Sequence, residues 1–395
     1  MENAQKSSYA KQLLIITILL WFSLYVHVPF QTPYLSGIAV PAGFIGLVIG
    51  TYGLMQVAGR IPIGIFADLY GNQKPFIVGG MVSTFLASLI RVLIPTGGGY
   101  LAANFFSGLA ACSWICFIVM YTNLFSKAEL SKSTGMIISI HNVGIFLGFA
   151  AGMILRDIAG MNVLCMAGTI VSFIGLILSF FLPAETNHSS KQPTKADFFQ
   201  LFRNPNVIFW GLVALVQQGV VSSTANSFTT QVAKDIGANA IQIGIGALIY
   251  ILSAVISSNF NSPRLKPATI VPILFIGLAC YCFLAPNMSS VIYLYPLQIL
   301  AGLSQGWLYS CTTAEAMKEV PDSVHSTAMG YYASIYAVGM TLFPMFTGEI
   351  AENSGIPTAF YVLMAISVLS AALVKIRFFK KEKLQPVIPS NTENV

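Results

Sequence analysis

The amino-acid sequence predicts an all-α integral membrane protein, with twelve transmembrane helices arranged as two pseudo-symmetric six-helix bundles. Three observations predict it. Of the 395 residues, 55% are hydrophobic and 9% charged, with a mean hydropathy of +0.75, whereas soluble domains carry roughly 25% charged residues. A soluble chain of this length still needs a polar surface, so the medium around this one is lipid. Twelve apolar runs of about 20 residues, the length that crosses a bilayer, follow one another along the chain. The longest internal polar stretch, PAETNHSSKQPTKADFFQLFRNP, falls between the sixth run and the seventh.

The first run, α1 (11–30), has the basic flank of a signal peptide in Lys6 and Lys11. It stays apolar to Phe30 and shows no small-x-small cleavage site, so it reads as a retained helix. Next come α2 (43–66), α3 (75–94), α4 (100–121), α5 (133–155) and α6 (161–182). Beyond the polar stretch lie α7 (206–232), α8 (240–260), α9 (268–286), α10 (290–314), α11 (325–350) and α12 (356–379). The runs are continuous and do not alternate at every second residue, which makes them helices rather than barrel strands. The expected domains are an N-terminal bundle over 1–182, a cytoplasmic connector over 183–205, a C-terminal bundle over 206–380 and a cytoplasmic tail over 381–395.

Orientation follows from the Lys and Arg residues, which favour the cytoplasmic side. With a cytoplasmic N-terminus, seventeen of the 20 lie at or near that side, and only Arg91, Arg156 and Lys234 point the other way. Both termini are then inside, in a cell (inner) membrane. The net charge of +6 is a topology signal and implies no nucleic-acid partner. The six cysteines all fall within apolar runs without histidines at metal-ligand spacing, so they read as small packing residues.

The halves share a faint repeat. YLAANFFSGLAA in α4 sets Asn104 four residues before Gly108, and YLYPLQILAGLSQG in α10 sets Gln298 four before Gly302. KSTGM at the start of α5 matches HSTAMG at the start of α11.

Between α2 and α3 the chain reads GRIPIGIFADLYGNQKP. The pattern G-x-x-x-D-x-x-G, from Gly64 through Asp68 to Gly71, resembles the signature loop of the major facilitator superfamily. The preceding R-x-P-x-G, Arg60 to Gly64, is common in the drug-efflux-like branches of that family. The resemblance covers the whole chain, through twelve helices, a 6+6 split and this loop in its place. Physically, Gly64 would let α2 approach a neighbour closely and Gly71 would allow a tight turn. Asp68 would cap the positive end of another helix, which the resemblance identifies as the start of α11, near Ser323 to Thr327. Asp68, Gly64, Gly71, Lys74 and Arg60 are therefore the expected gating residues, with Arg60 suited to pair with Asp68 or a nearby carbonyl. Several family features are missing. Leu69, Asn72 and Gln73 stand where basic residues are usual, and Asn104 stands where proton-coupled efflux members often carry arginine. Gly144, Gly148 and Gly152 keep a glycine face on α5, but Phe149 replaces the usual proline.

By resemblance, α1, α4, α7 and α10 line a central pathway. Polar stripes recur on them at helical spacing. On α1, Ser23, His27 and Gln31 share a face, with Tyr25 alongside. On α7, Gln218, Ser222 and Asn226 do the same, with Gln217 next to them. On α10 the stripe is Gln298, Gly302, Gln305 and Tyr309, and α4 offers Asn104 and Trp114. An amide facing lipid is costly, so these stripes face the interior. They form the expected substrate-binding set, although helix–helix hydrogen bonding uses the same residue types. No run carries a carboxylate or arginine at its centre, from which a compact anion or a strong cation is expected to find no fixed counter-charge. If protons are the coupling ion, His27 is the expected coupling residue, with Glu315 and His141 as alternatives.

The sequence thus points to a secondary transporter, not an enzyme, that moves a small neutral or amphipathic organic solute by alternating access as a monomer without a cofactor, with export favoured. A nutrient uptake symporter or uniporter, or a membrane sensor that does not transport, are the competing readings.

Overall fold

The computed structural model describes residues 2–70, 72–126, 129–183, 200–260, 266–320 and 325–384. The Asp68 side chain, Gly71, the 321–324 segment expected opposite Asp68, most of the connector and the tail beyond 384 lie outside the described residues.

The described chain is helical almost throughout. Nine helical stretches among the described residues are long and apolar enough to cross a membrane. One of these, 48 residues long, is the α5–α6 pair, and the more polar α10 and α11 complete the twelve. We call the face where α1 begins and α12 ends the near face, and the opposite one the far face.

Several predicted helices are interrupted along their length. α1 consists of Glu2–Tyr25 and Val28–Gly37. Pro29 has no N–H, so the Tyr25 carbonyl loses its usual donor and the helix opens at Val26 and His27. α2 runs over Ala42–Tyr70 and α3 over Lys74–Leu93. α4 is split at Ser113 into Gly97–Cys112 and Trp114–Thr122. α5 and α6 form one run, Leu130–Phe180, that bends at Gly160 (φ 79°, ψ 179°), a backbone conformation that glycine tolerates best. α7 covers Pro205–Ser223, a π-helical turn at Thr224–Phe228, and Thr229–Asp235. The remaining helices are α8 (Ala240–Ser257), α9 (Pro267–Leu284), α10 (Val291–Met317), α11 (His325–Ser354) and α12 (Ile356–Leu384).

The halves meet along α2 with α11 and along α5 with α8. On α2 the close approach falls at Gly50 and Gly53. A Cβ on Gly53 would lie 2.6 Å from the Met340 carbonyl carbon, and one on Gly50 would lie 2.5 Å from the Thr341 oxygen. Gly64 does not do this. Among the described residues nothing lies within 4 Å of where its Cβ would stand, which corrects the expectation of close packing there. The α5 glycines Gly144 and Gly148 pack on the α1 backbone, at Ile18 and Phe22, rather than on α8.

The repeat read from the sequence appears in the packing. Gly108 of α4 abuts Met55 and Tyr52 of α2, and Gly302 of α10 abuts Ser253 and Tyr250 of α8. The far face carries a matching pair of ties. The Gly43 N–H, at the start of α2, donates to Glu352 Oε2 of the second half at 2.8 Å. The Ala240 N–H, at the start of α8, donates to Asp157 Oδ1 of the first half at 3.3 Å. Each carboxylate caps the positive end of a helix in the opposite half.

Candidate binding cavity

Between the halves lies a cavity of about 170 Å³. Its residues come from α1, α4, α7 and α10, and also from α2 (Ile49, Tyr52), α3 (Arg91), α8 (Tyr250) and α11 (Met340). The lining set is therefore broader than the expected four helices.

The interruptions of α1 and α7 border this cavity. His27, in the break of α1, is 3% exposed and lines it, as do Tyr25 and Gln31. Ser23, on the same predicted stripe, instead donates to the Leu19 carbonyl at 2.8 Å. Asn226 projects from the π turn of α7 into the cavity. A π turn widens the helix and loosens carbonyls, a geometry frequent at functional sites. Ser227 takes up the Ser222 carbonyl at 2.9 Å, and Gln298 Nε2 reaches from α10 to the Ala225 carbonyl at 3.2 Å. Gln298 thus staples α10 to α7 and does not line the cavity.

Gln305 does line it, and ties α10 to α7 through both α7 glutamines. Its Oε1 accepts from Gln217 Nε2, and its Nε2 donates to Gln218 Oε1 at 3.4 Å. Gln218 faces the cavity, while Gln217 is fully buried behind it. Trp114 lies outside the cavity, in an aromatic cluster with Trp21 and His141. The His141 ring is 4.1 Å from Trp21 and 5.0 Å from Trp114. Tyr309 stands edge-on to Tyr336, 5.9 Å away, towards the near face. These four placements have one reason. A residue of the right type on the right helix packs sideways whenever a neighbouring helix offers a partner.

The sequence missed Arg91. It stands in the last turn of α3, where depth alone places it at the far membrane boundary. Its side chain turns inward and is 1% exposed. Nη2 donates to Asn104 Oδ1 at 2.6 Å and to Ser107 Oγ at 2.9 Å. Asn104 is held in turn by its Nδ2, which donates to the Val48 carbonyl at 2.7 Å. Among the described residues, those that line the cavity include no carboxylate. The cavity thus has a fixed positive charge, correcting the expectation that a compact anion finds no counter-charge there. The signal was present as a stripe of small and polar residues on α3: Gly80, Thr84, Ser88 and Arg91, all buried on one face.

The gating residues are partly described. Arg60 is buried and crosses from α2 to α11, where Nη1 donates to Tyr336 Oη at 2.5 Å and to the Ala333 carbonyl at 3.3 Å. Its carbon centre lies 5.0 Å from the Tyr336 ring, and Gln56 Oε1 accepts from Nη2. Of the two partners expected for Arg60, the structure thus describes the carbonyl. Lys74 begins α3, with its backbone N–H on Asn72 Oδ1 at 3.1 Å. Glu315 sits near the near-face end of α10, 3.5 Å from Lys318, away from the cavity.

Two six-helix halves around a central cavity lined by amides, hydroxyls and apolar side chains define a multi-pass membrane transporter. The chain belongs to the Major Facilitator Superfamily, whose sequence profile matches residues 13–295 and 264–394. It is 23% identical over 348 residues to an uncharacterized MFS-type transporter, MJ1560, of Methanocaldococcus jannaschii, covering 84% of this chain and 88% of that one. It is 23% identical over 381 residues to solute carrier family 67 member A1 of Homo sapiens, covering 85% of each. Among solved structures, the nucleoside transporter NupG superimposes with a TM-score of 0.76 at 16% identity, over 94% of this chain and 99% of that one. A bacterial homolog of the human lysosomal transporter Spinster gives 0.72 at 18% identity, over 96% and 99%. These relatives are transporters rather than enzymes.

Proposed function

We propose that this protein carries a small organic solute across the membrane by alternating access, with the cavity between the halves as its binding site. The observation that carries this reading is a cavity lined by both halves, in which the buried amide oxygen of Asn226 has no hydrogen-bond partner among the described residues. Buried acceptors are normally satisfied, and a solute with hydrogen-bond donors supplies what this one lacks. The mixture of amides, hydroxyls and rings around it supports a solute with polar and apolar parts. Residues 1–182 and 206–380 are the moving halves, and a single chain lines the whole cavity, which supports action as a monomer. Arg60, with Asp68, Gly64, Gly71 and Lys74 nearby in sequence, forms the near-face gate. The Lys and Arg distribution supports cytoplasmic termini, and the loop resemblance supports export.

For proton coupling, His27 is the candidate, because it lines the cavity at a helix break where no carboxylate among the described residues does. A histidine can change charge near neutral pH. The experiment is counterflow in vesicles with and without a proton gradient, comparing His27→Gln with the parent protein. Gradient-driven accumulation should vanish in the variant while solute-for-solute exchange survives. Normal accumulation in the variant removes His27 from coupling, and absence of exchange in the parent protein contradicts transport itself.

A further inference from the structure

We infer that Arg91 is the anchor for an anionic group on the solute, and that the cavity selects small organic carboxylates bearing hydrogen-bond donors. The inference rests on the transport reading above, and adds the chemistry of the solute to it. Arg91 is 1% exposed, lines the cavity and uses only Nη2, on Asn104 and Ser107. Its Nε and Nη1 are buried without a hydrogen-bond partner among the described residues. A guanidinium offers five N–H donors in a rigid plane and stays charged. Leaving several of them unmade in a buried site is a standing demand for an acceptor, and a buried charge is stable only when paired.

The neighbours do not meet that demand. Among the described residues, those around the cavity include no carboxylate. The Tyr100 ring, 5.9 Å from the guanidinium carbon, offers only its face. The Asn104–Val48 bond and the Ser107 contact fix the orientation of the arginine, so it is presented to the cavity in advance. A carboxylate makes short, charge-assisted bonds to such a group. Across the same cavity the Asn226 oxygen, without a partner among the described residues, calls for a donor. The volume of about 170 Å³ limits the solute to a small molecule. An acid with an amino, hydroxyl or amide group on a short skeleton satisfies all three features.

The test uses the full-length protein in proteoliposomes and matched probes: lactate with lactamide, glycine with glycinamide, and benzoate with benzamide, each presented for exchange. The parent protein should exchange at least one carboxylate roughly 10–100-fold better than its amide, the range that a charge-assisted hydrogen bond supplies. Arg91→Gln should erase that preference and Arg91→Lys should keep part of it. If Arg91→Gln fails to fold, Asn104→Asp takes its place. It sets a carboxylate against Nη2 at the cost of the Nδ2 bond to the Val48 carbonyl, supplies an internal counter-ion, and should abolish carboxylate exchange in a protein that still melts cooperatively. Equal exchange of acids and amides, a preference unchanged in both variants, or transport of neutral solutes only, overturns the anion anchor and leaves the carrier intact. A protein that exchanges no solute of any kind defeats the transport reading, and the anchor with it.

Discussion

Replacing Tyr336 with phenylalanine should release the near-face tie between the halves. The substitution removes one hydroxyl and leaves the ring, so the packing on Tyr309 and Tyr332 is kept. What is lost is the 2.5 Å bond from Arg60 Nη1. The Ala333 carbonyl at 3.3 Å and Gln56 remain, so the guanidinium is weakened in its hold rather than orphaned. A hydrogen bond to a charged group contributes about 1.5–3 kcal/mol, and partial replacement by the remaining acceptors brings the net change to roughly 1–2 kcal/mol. That is about a 5–30-fold shift in a two-state balance, towards the form whose near face is open. The assay is a spin-label distance between cysteines at Ser126, after α4, and Lys318, at the end of α10, in a background without the native thiols. Both positions are exposed on the near face, in opposite halves. The long-distance population should grow in the variant. An unchanged distance distribution in a folded Tyr336→Phe protein refutes the role of this tie in holding the halves together.

Two further outcomes follow from the packing and the cavity. Gln305→Leu or Gln218→Leu should weaken solute retention by about 1–3 kcal/mol, read as a raised half-saturation in exchange, while Gln298→Leu should act mainly on thermal stability. Gly64→Ala should be tolerated or slightly stabilising, since its position is open and alanine favours the helix, whereas Gly53→Leu should lower stability by about 1–3 kcal/mol or more through overpacking against Met340. Melting curves of the purified variants decide this pair.

The helices were legible because lipid leaves a plain signature. A run of about 20 apolar residues has few alternatives to crossing the bilayer, whereas the break before Pro29 fell inside a run read as one helix. The α4–α10 repeat was legible too, because Gly108 and Gly302 serve the same packing against α2 and α8. The cavity was legible only by helix. Periodicity placed His27, Gln31, Gln218, Asn226 and Gln305 on inward faces, but inward includes both the cavity and the next helix. Gln217, Gln298, Trp114 and Tyr309 took the second course. Arg91 was hidden for another reason. Distance along α3 put it at the membrane boundary, and only the partners on α4, Asn104 and Ser107, draw it inside. A contact of that kind depends on how two helices are rotated against each other, which hydropathy does not encode.

The central claim is that one cavity is reached in turn from each face. A single cysteine at Ser222, beside Gln218 on the cavity wall, tests it most directly with a membrane-impermeant thiol reagent in vesicles of known sidedness. The account predicts labelling from the near side and, separately, from the far side, with a transported solute protecting against both. Labelling from one side only, under every solute and gradient tried, would contradict alternating access and favour a membrane sensor that binds without carrying.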